Sequence, residues 1–174
     1  MADTLKADIA KEVNITARRN DSFHINLEIQ DANGVMDLDD TTRGGGLPDY
    51  QGKMTIINAT GEKILSVYSY YWKDIVPTPN VATHPEDEVG NSSTESHYSG
   101  LSTNQGVDLT SQTGSGTQAK IQIPHAYMGF QSGEYKYDLQ IRKQTTGTSG
   151  DDDFAEYTTW LYGKFILSAD ITQV

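Results

Sequence analysis

The chain has 174 residues, no cysteine and a formal net charge of −11. That length accommodates one domain with a core of its own, and the missing cysteines exclude disulfides, thiolate metal ligands and cysteine nucleophiles. The acidity repels phosphates and anionic headgroups, which argues against a nucleic-acid or membrane-surface partner and leaves solubility, a basic partner surface or bound cations.

No stretch approaches the roughly 18–20 apolar residues of a membrane span, and the N-terminal MADTLKADIAKEV has no apolar run. Neither a signal peptide nor a lipid anchor is expected, and synthesis in the cytoplasm is. Hydrophobic residues make up 36% of the chain, a low share that points to long polar loops around a modest core.

Residues 1–11 are too short for a stable helix and lack an apolar face, and read as an extended arm or a frayed turn. A domain spanning 12–174 follows. In Glu12–Arg18, Val13, Ile15 and Ala17 share one side, the period of a strand. In Ser22–Gln30, Phe23, Ile25, Leu27 and Ile29 alternate with polar residues, with Asp31–Gly34 as turn chemistry and Val35–Leu38 as the return. The segment predicts a β-hairpin in which Asn33-Gly34 takes positive φ at little cost.

Residues 39–51 carry Gly44-Gly45-Gly46 and Leu47-Pro48 and predict a loop. Gly52–Asn58 and Glu62–Tyr71 form a second hairpin across Ala59-Thr60-Gly61, with Met54, Ile56, Ile64, Val67 and Tyr68 as core candidates. From Pro77 to Thr117 the pattern stops. A polar insertion loop of about forty residues is expected there, long enough to suggest function, disorder or ordering by a partner.

Gln118–Ile123 is the next strand, with Ala119, Ile121 and Ile123 inward, and Pro124–Ser132 reads as irregular with one helical turn. Glu134–Lys143 alternates through Tyr135, Tyr137, Leu139 and Ile141. After the loop 144–153, Glu156–Leu167 is a long strand with a bulge or bend at Gly163, and Asp170–Val174 adds a short edge. Some seven to nine short strands separated by turns predict an all-β fold, an antiparallel β-sandwich with minimal helix.

The chemistry-bearing residues are sparse. His24, His84, His97 and His125 lack the spacing of metal or hydrolytic sites. No G-x-S-x-G elbow occurs, and Gly44–Gly46 and Gly147–Gly150 lack the Lys and helix of a phosphate cradle. Asp31, Asp37, Asp39, Asp151 and Asp153 supply hard oxygen ligands in loops and are weak calcium candidates, since no EF-hand spacing or closing Glu completes a site. No cofactor is expected. The sequons at Asn14, Asn58 and Asn91 read as chance matches in an Asn/Thr-rich chain. The cluster Tyr68, Tyr70, Tyr71 and Trp72 cannot all face one core. It suggests interface anchors (Tyr70, Tyr71, Trp72, with Tyr98 from the insertion) or, alternatively, the stacking platform of a carbohydrate-binding β-sandwich module.

Several segments together carry a resemblance: Asn14-Ile-Thr16, Arg19–Phe23, Asp31–Gly34, Met36–Leu38, Gly133–Ile141, Gly163–Leu167 and Asp170–Thr172. In this order they resemble the N-terminal immunoglobulin-like domain of phage baseplate upper proteins and related virion proteins. The resemblance implies an immunoglobulin-like sandwich acting as a non-enzymatic virion structural protein. Because the chain stops at Val174 and carries the 77–117 insertion, it implies a stand-alone component: a capsid decoration protein or a tail, neck or baseplate adaptor. Its partners would be other virion proteins and further copies of itself.

Overall fold

A computed structural model describes residues 10–31, 34–35, 38, 50–69, 88–90, 106–113, 116–144 and 154–169. Twelve strand segments run through them: β1 (Lys11–Glu12), β2 (Ile15–Arg18), β3 (Phe23–Glu28), β4 (Gln30–Asp31), β5 (Gly34–Val35), β6 (Tyr50–Ile57), β7 (Lys63–Tyr68), β8 (Glu88–Gly90), β9 (Gly106–Thr113), β10 (Gly116–Ile123), β11 (Gly133–Gln144) and β12 (Phe154–Ser168). A single 3-10 turn at His125–Tyr127 is the only helical element among the described residues, in the place where the sequence predicts one.

The large sheet has the order β1–β12–β11–β6–β7–β8, with β2 following β1 along β12; the smaller sheet has the order β3–β10–β9. Their facing sides share one core. The large sheet contributes Ile15, Ala17, Met54, Ile56, Leu65, Val67, Leu139, Ile141, Leu161, Phe165 and Leu167, and the smaller one Val107, Leu109, Ala119, Ile121 and Ile123. Phe23 on β3 meets Phe165 on β12 edge to face at 5.6 Å between centroids. Contact is closest at Gly52, where a Cβ would stand 2.8 Å from Val107 Cγ1. Any side chain at this position would have to displace Val107, a buried core residue of β9. The architecture is all-β and consistent with a sandwich.

Several expectations change. The large sheet is mixed rather than purely antiparallel, since β1 and β2 run parallel to β12 and β8 parallel to β7, while the β3–β10–β9 sheet is antiparallel as expected. The predicted first strand is broken at Val13-Asn14, and Lys11, expected in the arm, already belongs to β1. Ser22–Leu38 is not one long hairpin. Phe23–Glu28 pairs along its length with Gln118–Ile123, and among the described residues only Gln30↔Val35 and Asp31↔Gly34 pair locally. Gly34 therefore sits in a strand, and residues 32 and 33 lie outside the described residues.

The 77–117 stretch is not structureless throughout, because it contains β8 and β9. β9 pairs with β10 and delivers Val107 and Leu109 to the core. Tyr50 and Gln51, expected in the 39–51 loop, open β6.

The β6–β7 hairpin matches its prediction, and its turn explains itself. Asn58 Oδ1 accepts from Thr60 N (3.0 Å), Thr60 Oγ1 (2.7 Å) and Glu62 N (2.9 Å), while Gly61 takes φ 84°. Asn58→Ala removes an acceptor with three donors and is expected to cost about 1–2 kcal/mol in urea denaturation; an unchanged midpoint would show the turn to be self-sufficient. A register shift at Ile56/Ile57 makes Ile64 the extra residue. Leu65 consequently takes the core position assigned from sequence to Ile64. A second shift lies at Trp160, skipped between Leu139↔Leu161 and Gln140↔Thr159. β12 thus bulges three residues from Gly163, where the sequence reading put the bulge, and again at Ala155, skipped between Lys143↔Glu156 and Gln144↔Phe154.

Candidate functional site

Two polar arrangements on the large sheet draw side chains from several strands. The first lies on the face turned away from the smaller sheet. Alternation puts Gln51, Lys53 and Thr55 of β6, Ser66 and Tyr68 of β7, and Asp138, Gln140 and Arg142 of β11 on that face, in the cross-strand rows Arg142–Gln51, Gln140–Lys53–Tyr68 and Asp138–Thr55–Ser66.

An outward face is ordinarily wet, yet Gln51, Ser66, Tyr68 and Arg142 are all buried, Arg142 to 1% exposure. Tyr68 stands apart from the core cluster between the sheets. Along β6 and β7 the large sheet is therefore covered on both sides. Arg142 Nε and Nη2 both donate to Gln51 Oε1, at 3.0 and 2.8 Å. Gln140 Nε2 donates to Asp138 at 3.0 Å. Burial pushes the Asp138 carboxyl up, against the opposing pull of the Gln140 hydrogen bond and the nearby Lys53 charge.

The second arrangement is the seam that holds the N-terminal strands. Val13 N donates to Tyr162 O at 2.9 Å, and the Tyr137 hydroxyl donates to Val13 O at 2.8 Å. Lys164 N donates to Asn14 Oδ1 at 3.0 Å, so the side chain of the first sequon asparagine accepts from the β12 backbone. Further along, Arg19 N donates to Ser168 O and Ser168 Oγ to Ala17 O, both at 3.0 Å. At the centre is Gly163, where a Cβ would lie 2.2 Å from the Val13 carbonyl oxygen. The break between β1 and β2 lets this carbonyl turn into the space glycine leaves and reach the Tyr137 hydroxyl.

Burial pushes the Tyr137 hydroxyl up to about 12. An unfolded tyrosine titrates near 10. The neutral, donating form therefore stabilises the fold fully below about pH 10, and its contribution disappears as pH rises through about 12. The urea midpoint of the parent chain is expected to fall over that window, and that of Tyr137→Phe to fall less. Parallel pH profiles would show that Tyr137 ionises as it does in the unfolded chain.

Of the residues singled out from sequence, Tyr70, Tyr71, Trp72 and Tyr98 lie outside the described residues, as do Asp37, Asp39, Asp151 and Asp153. Asp31 is in β4, opposite Gly34. Tyr68 is fully buried, which removes it from any sugar-stacking platform. His24 and His125 are exposed. Among the described residues, no group of three His, Asp or Glu is placed to hold a metal ion.

Sequence reading missed Arg142, Gln51, Tyr137 as a donor, and Asn14. Alternation assigns Arg142 to the outward face, but no pattern within β11 shows that this face is covered. No protein-family model and no curated protein matches the chain. The structural roles above therefore rest on the geometry alone.

Proposed function

We propose that this chain is a non-enzymatic structural protein of a bacteriophage virion, an immunoglobulin-like sandwich that decorates the capsid or joins tail, neck or baseplate components through protein–protein contacts. One observation carries the reading furthest. Asn14–Thr16, Gly133–Ile141 and Gly163–Leu167, three segments that bear the resemblance, fall on or beside neighbouring strands, in the spatial order β2–β12–β11.

The polar side chains add support, because Arg142, Gln51, Tyr137 and Asn14 each tie one strand to another. Such a chain acts by presenting a rigid surface, and many weak contacts gain strength together in a multi-copy assembly. The test is mass spectrometry of gradient-purified particles from a host carrying the gene, with immunogold labelling to place the protein. Recovery in stoichiometric amounts supports the reading. Expression in the host with absence from the particles overturns it.

A further inference from the structure

One cross-strand row on the outward face of the large sheet passes from solvent into the interior. Glu12, Tyr162, Asp138, Thr55 and Ser66 stand side by side on β1, β12, β11, β6 and β7. Glu12 and Tyr162 are exposed, Asp138 and Thr55 are half-buried, and Ser66 is 1% exposed. The neighbouring row repeats the gradient, with Thr159, Gln140 and Lys53 half-buried and Tyr68 buried. This part of the face is a shelf that opens at β12 and runs under cover at β7. Adjacent strands lie about 4.8 Å apart, so it is about 14 Å from Tyr162 to Ser66.

Both ends of the shelf carry a group that the fold does not use. Tyr162, at 44% exposure, is the one large apolar side chain left open among the described residues. At the covered end the Ser66 hydroxyl is buried with no hydrogen-bond partner among the described residues. Native structures rarely leave a buried hydroxyl unsatisfied, and a bound polar molecule is one way to satisfy it. Between the ends, Gln140 Nε2 donates to Asp138 Oδ2 at 3.0 Å. That bond fixes a carboxylate and an amide side by side, with the Gln140 carbonyl oxygen available as an acceptor. The charges are matched: Lys53 lies close to Asp138, and Lys164 pairs with Glu134 at 3.0 Å. An ion gains little from such a surface. A neutral ligand with many hydroxyls gains an acceptor or donor at every step, and an apolar ring face to lie on at the entrance.

We propose that this shelf is a saccharide-binding site, in which Tyr162 stacks against the C–H face of a sugar ring and Asp138, Gln140, Lys53, Thr55 and Ser66 bond its hydroxyls. The site uses none of the tyrosines and tryptophans that the sequence suggested for a sugar platform. The inference is independent of the virion reading, and its failure would leave the particle test of that reading untouched.

A printed oligosaccharide array probed with the fluorescently labelled full chain tests it, followed by an amide chemical-shift titration with the strongest glycan bound. The shifts are expected to centre on Tyr162, Asp138 and Thr55. Tyr162→Ala, an exposed position, is expected to weaken binding at least about tenfold, and Tyr162→Phe, which keeps the ring, to stay within about twofold. Ser66→Ala is expected to weaken binding by about threefold or more. Lys120→Ala on the smaller sheet is the control and is expected to change nothing. Failure to bind any glycan at about 1 mM sugar overturns the proposal. So does undiminished binding by Tyr162→Ala, or a shift map centred on the smaller sheet. Shifts at Tyr162 that grow with protein concentration in the absence of sugar would assign the shelf to a second copy and overturn saccharide occupancy.

Discussion

Gly163→Ala is expected to be among the most damaging single-methyl changes in this protein, costing about 2–3 kcal/mol and lowering the thermal midpoint by roughly 5–10 °C. The added Cβ would stand 2.2 Å from Val13 O and 2.9 Å from Val13 C, both backbone atoms that cannot rotate aside. Relief requires Val13 to retreat. Retreat strains three hydrogen bonds at once: Val13 N to Tyr162 O, Tyr137 hydroxyl to Val13 O, and Lys164 N to Asn14 Oδ1.

The loss is therefore local first, and limited proteolysis is expected to cut near residues 10–18 before the rest of the chain. Gly61→Ala supplies the comparison. Gly61 has positive φ but nothing within 4 Å of its Cβ position, so only the conformational cost of about 1 kcal/mol applies. If Gly163→Ala proves no worse than Gly61→Ala, the close approach of Val13 is not a tight contact.

Gln51→Leu is the second large effect, expected at about 2–3 kcal/mol, because it takes from a deeply buried guanidinium the acceptor of two of its donors. Arg142→Met in the same chain removes the charge whose solvation was lost. The double variant Gln51→Leu/Arg142→Met is expected to be more stable than Gln51→Leu alone, giving a coupling energy on the order of 1 kcal/mol or more in a double-mutant cycle. Strict additivity in urea denaturation would mean that Gln51 and Arg142 do not sense each other.

Local pattern was a good guide wherever a strand buries one side against the facing sheet. Gly133–Gln144 and Phe154–Ser168 announce themselves because Tyr137, Leu139, Ile141, Leu161, Phe165 and Leu167 recur at period two. The same reasoning fails for β9, whose sequence GVDLTSQT has only Val107 and Leu109 as apolar signals. Its strand is secured by pairing with β10, which sequence period does not report.

The strong turn signal at Asp31–Gly34 misled in the opposite way. It marks a real reversal, but β3 takes its long partner from Gln118–Ile123. The polar clusters were least legible of all. Arg142 and Gln51 meet only because β11 and β6 lie side by side in one register. Their burial depends on cover over the outward face, which no single strand encodes.

The parallel seating of β1 and β2 on β12 also governs the order of events at the ribosome. Ile15–Arg18 emerges 150 residues ahead of its partner Phe165–Ser168. At about 5–20 residues per second, the first strands wait roughly 7–30 s for the edge they occupy. β3 likewise waits for β10. Such long-range pairing raises contact order and slows folding. The large sheet therefore stays incomplete until β12 is released, and strands 150 residues apart commit to the native state together.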